Sequence, residues 1–150
     1  MDFRRSIPYD GIDIAKMEAE IFPDPWSERS VIDLICTEGA MCFSAIDGGR
    51  VIAYVIGRII APEGEIYRVA VRPEYRKRGI GYRLLDYAMK TSRGDGLEVT
   101  FLEVRAGNTP AIKLYTAYGF ERAGVRKNYY RDPTEDAIIM IKANPLDLIN

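Results

Sequence analysis

Val69-Ala70-Val71-Arg72-Pro73-Glu74-Tyr75-Arg76-Lys77-Arg78-Gly79-Ile80-Gly81 decides how this chain is read. A β-branched apolar run ends in a basic, glycine-bearing turn. Beyond it, Leu84, Leu85, Ala88 and Met89 recur at helical spacing. Such a junction gathers backbone N–H groups, the positive end of a helix dipole and guanidinium donors at one spot. Between Arg72 and Arg83 there are five basic residues against one acidic. That spot suits a phosphate-rich ligand. A Walker loop does not fit, because Gly79-Ile80-Gly81-Tyr82 offers neither its length nor its lysine. A dinucleotide fingerprint fails as well, since it needs a third glycine where Leu84 stands. The plainer alternative is a glycine pair that only lets the chain turn into a helix.

Outward from this stretch, the pattern predicts alternating elements. A helix is expected over Tyr9 to Ile21, broken by Phe22-Pro23-Asp24-Pro25-Trp26. Ser27 should cap a second helix that ends near Gly39. Strands over Met41 to Ile46 and Arg50 to Ile60 are joined by Asp47-Gly48-Gly49, a hairpin signal. A third strand runs from Glu65 to Val71, and the helix after Gly81 stops at Gly94-Asp95-Gly96. A strand over Leu97 to Val104 completes a βαβ unit whose strands should be parallel. Asn108-Thr109-Pro110 caps a further helix ending at Tyr118-Gly119. Closing strands are expected near Phe120 to Asn128 and Glu135 to Ile141. The fold class is therefore α/β, a mixed central sheet flanked by helices, in one domain over residues 1–150.

Composition excludes several classes of chemistry. An apolar fraction of 47% and a net charge of −1 describe an ordinary globular chain without a global field for nucleic acid or membrane. No apolar run reaches the roughly 20 residues of a membrane span and no signal peptide is seen, so a cytoplasmic protein is expected. The chain has no histidine and only two cysteines, Cys36 and Cys42, without a Cys-x-x-Cys pair. A metal site, a disulfide framework and Ser-His or Cys-His catalysis are not expected, which leaves carboxylates, amines and phenols as acids and bases. Both cysteines sit in apolar stretches without a basic neighbour and read as buried structural residues, so direct transfer is favoured over an acyl-cysteine intermediate.

The Arg-x-x-Gly-x-Gly spacing from Arg76 to Gly81 resembles the pyrophosphate loop of the GNAT acetyltransferases, which bind acetyl-coenzyme A. The resemblance tightens over Leu102-Glu103-Val104-Arg105-Ala106-Gly107-Asn108, Ala111-Ile112-Lys113-Leu114-Tyr115 and Tyr118-Gly119-Phe120. Lys127-Asn128-Tyr129-Tyr130 and Glu135 to Met140 extend it, and with the Phe-Pro-Trp-Ser loop it covers nearly the whole chain. Within that family the chain is similar to the RimI group, which acetylates the N-terminal alanine of a small ribosomal protein. The resemblance implies a coenzyme-binding set of Val69, Ala70, Val71, Arg76, Lys77, Arg78, Gly79, Ile80, Gly81, Tyr82 and Asn108. Backbone groups of Val69 and Val71 would bond the pantetheine arm, amides from Lys77 through Tyr82 the pyrophosphate. Glu103 matches the family's proton acceptor and Tyr115 its proton donor. Two positions depart from the pattern: the additional Asp24-Pro25, and Arg68 where the group carries an uncharged polar residue.

Elementary chemistry agrees with those two roles. Neutralising an N-terminal amine of pKa about 8 at pH 7 costs about 1.4 kcal/mol, against about 4.6 kcal/mol for a lysine of pKa about 10.4. A carboxylate can manage the smaller task, though at its ordinary pKa of about 4.3 Glu103 is a weak base and needs an environment that raises it. A phenol near pKa 10 and a thiol near 8.5 differ by about 2 kcal/mol, so Tyr115 can donate to a departing sulfur. Without the resemblance, Glu103 would read as a strand-end carboxylate paired with Arg105, and Tyr115 as packing beside Ala111 and Tyr118. Lys113 and the Tyr129–Tyr130 pair are open between lining the acceptor site and covering the sheet. An acidic entrance for a basic partner would draw on Glu18, Glu20, Asp24 and Glu65. The expected partner is a peptide or protein N-terminus, with no nucleic acid, membrane or metal. A GNAT acting on a small amine or a lysine side chain is the rival within enzymes, and a catalytically silent coenzyme A-binding module the rival outside them.

Overall fold

The structure, a computed structural model, describes residues 1–143. Its elements are β1 (Asp2–Arg5), α1 (Asp10–Ile21), α2 (Glu28–Ile35), β2 (Phe43–Asp47), β3 (Arg50–Ile60), β4 (Glu63–Val71), α3 (Ile80–Arg93), β5 (Val99–Arg105), α4 (Thr109–Tyr118), β6 (Glu121–Tyr130) and β7 (Glu135–Ala143). The expected order of helices and strands is present, with β1 added in front. Too short for periodicity to register, β1 is fixed by antiparallel pairing to β2. The second helix ends at Ile35, four residues before Gly39, because Ala40 instead bridges to Arg58.

All seven strands form one sheet in the order β1-β2-β3-β4-β5-β7-β6. The β4–β5 pair is parallel, as the crossover through α3 requires. On one face, α3 buries Ile80, Leu84, Leu85, Ala88 and Met89 against Phe43, Ala53, Val55 and Leu102. On the other, α1 and α2 bury Ile14, Met17, Val31 and Leu34 against Tyr54, Ile56 and Ala70. The apolar stripe of each helix thus closes one side of the sheet.

The feature that creates a site is a split in the middle of this sheet. Strands β4 and β5 pair only from Glu63↔Val99 to Ile66↔Leu102. Beyond Ile66, β4 stays with β3 as far as Val71, while β5 stays with β7 as far as Arg105. The register of β4 shifts beside Ile56 and Gly57, so that Ile66 faces Gly57 and Arg68 faces Ile56 across one extra residue, Tyr67. A bulge of this kind bends its strand and re-aims side chains. Here it turns β4 away from β5 and opens a wedge.

Gly57 makes that bend possible. A Cβ at this position would strike the Glu65 carbonyl oxygen and lie 3.1 Å from the Ile66 Cα, both of them backbone atoms. Gly57→Ala is expected to destabilise the protein by about 1–3 kcal/mol, lowering the thermal midpoint by several degrees in a melting experiment. An unchanged midpoint would contradict this reading of the bulge.

Candidate active site

The wedge opens beside the start of α3. Gly79 has a left-handed backbone (φ 74°), which costs glycine little and lets the chain enter the helix directly. Among the described residues, none of the six N–H groups from Lys77 through Tyr82 donates to a backbone oxygen; the first amide of the turn to do so is Arg83, to Gly79. Unsatisfied donors at the start of a 14-residue helix form a site for an anion. Gly81 lies where α3 packs against Val71 of β4 and Leu114 of α4; a Cβ there would make ordinary contact, 3.4 Å from Val71 and 3.5 Å from Leu114. The stretch expected to hold a pyrophosphate thus presents a row of amides without a backbone partner. Arg78 lies over the Tyr75 ring at 5.2 Å, and Arg76 donates from Nε to the Val71 carbonyl at 3.0 Å.

Val69, Ala70 and Val71 line the edge of β4 that β5 leaves unpaired. That edge offers main-chain groups to an extended ligand in the manner of an added strand. Arg76 already occupies the Val71 carbonyl, so of the two residues expected to hold the pantetheine arm, Val69 is the less encumbered. Asn108 caps α4 through its own Oδ1, which accepts from the Ala111 N–H at 3.3 Å, so its side-chain NH2 is the group left for a ligand.

Tyr115 projects from α4 and is only 4% exposed, packed edge-on against Phe120 at 5.6 Å. Among the described residues its hydroxyl has no hydrogen-bond partner. Burial pushes its pKa well above that of an ordinary phenol, with the Arg68 charge pulling it down and Tyr130 pushing it up. At neutral pH it is a protonated donor. The same burial widens its mismatch with a departing thiolate, and Arg68 offsets part of that.

Glu103 sits near the far end of β5. Its sequence neighbour Arg105 is not its partner, as the plainer reading had it; Arg126 is, at 3.1 Å. Glu65, paired with Phe101, lies on the same face one pleat away. Burial and then the charge of Glu103 push the Glu65 carboxyl above its ordinary value, with Arg126 acting the other way. Tyr129 is raised chiefly by the charge of Glu103 and by a hydrogen bond to it. Tyr130 is pushed up to about 12, first by burial and then by Glu103. Tyr130 thus interacts with both Glu103 and Tyr115, and the site converges on it. Its ring is also covered by the Arg105 guanidinium at 4.5 Å. Tyr129 and Tyr130, left open between the acceptor site and the sheet surface, stack edge-on at 5.1 Å within reach of the Glu103 charge.

Other expectations are corrected. Glu18 is fully buried and so is no part of an exposed acidic entrance; it accepts from the Tyr54 hydroxyl, from the Trp26 N–H at 3.0 Å and from Arg68 at 3.3 Å. Lys113 points to solvent. Cys36, expected to be buried, is exposed just past the end of α2, whereas Cys42 is buried with its thiol pushed up to about 11 by desolvation. A thiol so raised makes a poor nucleophile. Sequence reasoning missed Arg126 and gave Arg105 the wrong partner; their pairings form only when β5, β6 and β7 meet.

A sheet split between two parallel strands, with a row of helix-start amides at its mouth, is the architecture of an acyl-coenzyme A-dependent N-acyltransferase. The chain belongs to the acetyltransferase (GNAT) family, whose model matches residues 12–120. It is 36% identical over 118 residues to the [ribosomal protein bS18]-alanine N-acetyltransferase of Escherichia coli K12, covering 77% of this chain and 79% of that one. It is also 36% identical over 132 residues to the N-alpha-acetyltransferase RimI of Mycobacterium tuberculosis, covering 84% and 82%. The crystal structure of the ribosomal-protein-S18-alanine N-acetyltransferase from E. coli superposes with a TM-score of 0.86 at 31% identity, over 95% of this chain and 92% of that one.

Tyr115→Phe removes only the hydroxyl. Turnover is expected to fall by about 10²- to 10⁴-fold, the usual worth of a general acid, with coenzyme A affinity held within about twofold. Steady-state kinetics and a binding titration on the same preparation decide it, and equal turnover in the variant would refute the donor role.

Proposed function

We propose that this protein transfers the acetyl group of acetyl-coenzyme A directly to the α-amine of a protein N-terminus, the preferred acceptor being the N-terminal alanine of a ribosomal protein. The observation that carries the reading is the junction of two features: the amides from Lys77 through Tyr82, which have no backbone partner among the described residues, and the wedge that opens where β4 and β5 part. The names borne by the E. coli and M. tuberculosis relatives support the acceptor class.

When bound, acetyl-coenzyme A supplies the thioester carbonyl. The amide cradle and the α3 dipole hold its diphosphate, and the free edge of β4 at Val69 aligns the arm. Glu103 takes one proton from the α-ammonium, directly or across a water, so that the neutral amine attacks the thioester carbonyl. Tyr115 donates to the sulfur as the C–S bond breaks, and the second proton, lost by the nitrogen as the amide forms, restores the phenol. Neither cysteine takes part. Among the described residues no group of three His, Cys, Asp or Glu side chains could hold a metal ion, and no helix is long and apolar enough to cross a membrane. We place the reaction in the cytoplasm.

Two chemistries are separated by pH. For an α-amine acceptor, kcat/KM should rise about tenfold per unit at low pH and level near pH 8, the pKa of the amine. A lysine acceptor would keep the rate climbing towards about pH 10. Mass spectrometry of a short alanine-starting ribosomal peptide containing one internal lysine should place the acetyl group on the α-nitrogen. Modification of the lysine, or none with this and related N-termini, would overturn the proposal.

A further inference from the structure

Asp24, in the loop after α1, and Arg68, on β4, are bonded to each other. Arg68 donates from one terminal nitrogen to the Asp24 carboxylate at 3.0 Å and to the Asp24 carbonyl at 2.7 Å. The second carboxylate oxygen of Asp24 lies 3.5 Å from the guanidinium of Arg105. Arg68 is two residues past the last β4–β5 pair and Arg105 three, so Asp24 bridges the two strands across the split. We propose that Asp24, gripped between Arg68 and Arg105, is a specificity-determining wall of the acceptor site, admitting small first residues and turning away bulky ones. This rests on the α-amine transferase reading above.

Placement supports it. Arg68 acts on Tyr115, and both Arg68 and Arg105 act on Tyr130, so the bridge stands among the reacting groups. The guanidinium-bearing side chains are 13% and 10% exposed, whereas Asp24 is 40% exposed, so Asp24 presents the outer surface of the bridge. Rigidity supports it too. The loop between α1 and α2 holds Phe22 under the Arg68 guanidinium at 3.9 Å and Trp26 against the Tyr67 ring at 5.4 Å. Glu18, fully buried, ties the Trp26 N–H and Arg68 to α1. Prolines on both sides of Asp24 restrict the backbone further. To make room for a large side chain the loop would have to draw Asp24 off two guanidiniums already mostly out of water. Arg68 would keep Glu18 and Arg105 would keep Glu135, but each would lose a charged partner at a place largely out of water. Because two cations surround it, Asp24 acts by shape and position rather than as a hook for the ammonium group.

The test compares kcat/KM for peptides that differ only in the first residue: alanine, serine, methionine and leucine. The unaltered protein should favour alanine and serine. Asp24→Ala should narrow the alanine-to-leucine ratio by about tenfold, the scale of discrimination by pocket size, with the KM for acetyl-coenzyme A unchanged. Asp24→Glu keeps a carboxylate between the guanidiniums and should recover most of the preference. If Asp24→Ala fails to bind coenzyme A or melts early, Asp24→Ser, which also removes the wall's bulk, is read in its place and should narrow the ratio in the same direction. A ratio that stays unchanged in the folded variant overturns the proposal, including the case where KM rises equally for all peptides as for an ammonium hook. Failure of the unaltered protein to acetylate any of the peptides would instead count against the α-amine reading itself.

Discussion

Among the described residues, six consecutive N–H groups from Lys77 through Tyr82 donate to no backbone acceptor, and a protein rarely leaves so many donors unanswered. They can remain so because they face outward at the start of α3, where solvent or an anion can reach them. Everything else in the site is arranged around that constraint. The left-handed turn at Gly79 sets the fan, and Gly81 lies where α3 packs against Val71 and Leu114. The bulge at Tyr67 bends β4 from β5, so the wedge opens beside the fan rather than elsewhere along the sheet. A straight β4 would pair with β5 along its whole length and leave no main-chain edge for a ligand.

Charge within the wedge is handled locally. Three acidic side chains, Glu18, Asp24 and Glu135, meet two arginines, Arg68 and Arg105, in a chain of ion pairs that binds α1, the loop after it, β4, β5 and β7 together. Arg126 then reaches from β6 to Glu103. Networks of this sort contribute more to a unique arrangement than to net stability, since taking charges from water offsets most of the attraction. Their value here is placement. They bring Tyr115, Tyr130 and Glu103 into one electrostatic neighbourhood and keep the acceptor loop against the strands.

The fold was legible because its signals are local. The Gly48-Gly49 turn, the Ser27 and Asn108 caps and the apolar stripe of α3 each announce themselves within a few residues. Strand β1 was not legible, because four residues carry no periodicity and only the edge of β2 defines them. The amide cradle was readable from Arg76 to Gly81 for the same local reason. Glu103 and Tyr115 needed the family resemblance, since by themselves a strand carboxylate and a helical tyrosine look structural. The partners were the hardest part. Arg126 for Glu103, Arg105 for Asp24 and Glu18 for Arg68 join residues from different strands and helices. Sequence shows that Asp24 is acidic and Arg68 basic, but they stand 44 positions apart. Only the fold shows that they touch.

The account stands on the main-chain cradle as a holder of diphosphate. Calorimetry with coenzyme A, set against 4′-phosphopantetheine, which keeps the arm but lacks the diphosphate, tests it most directly. Coenzyme A should bind with measurable heat, and the truncated ligand at least about tenfold more weakly, a difference of about 1.4 kcal/mol or more. Equal affinities, or no heat from coenzyme A at any workable concentration, would contradict it.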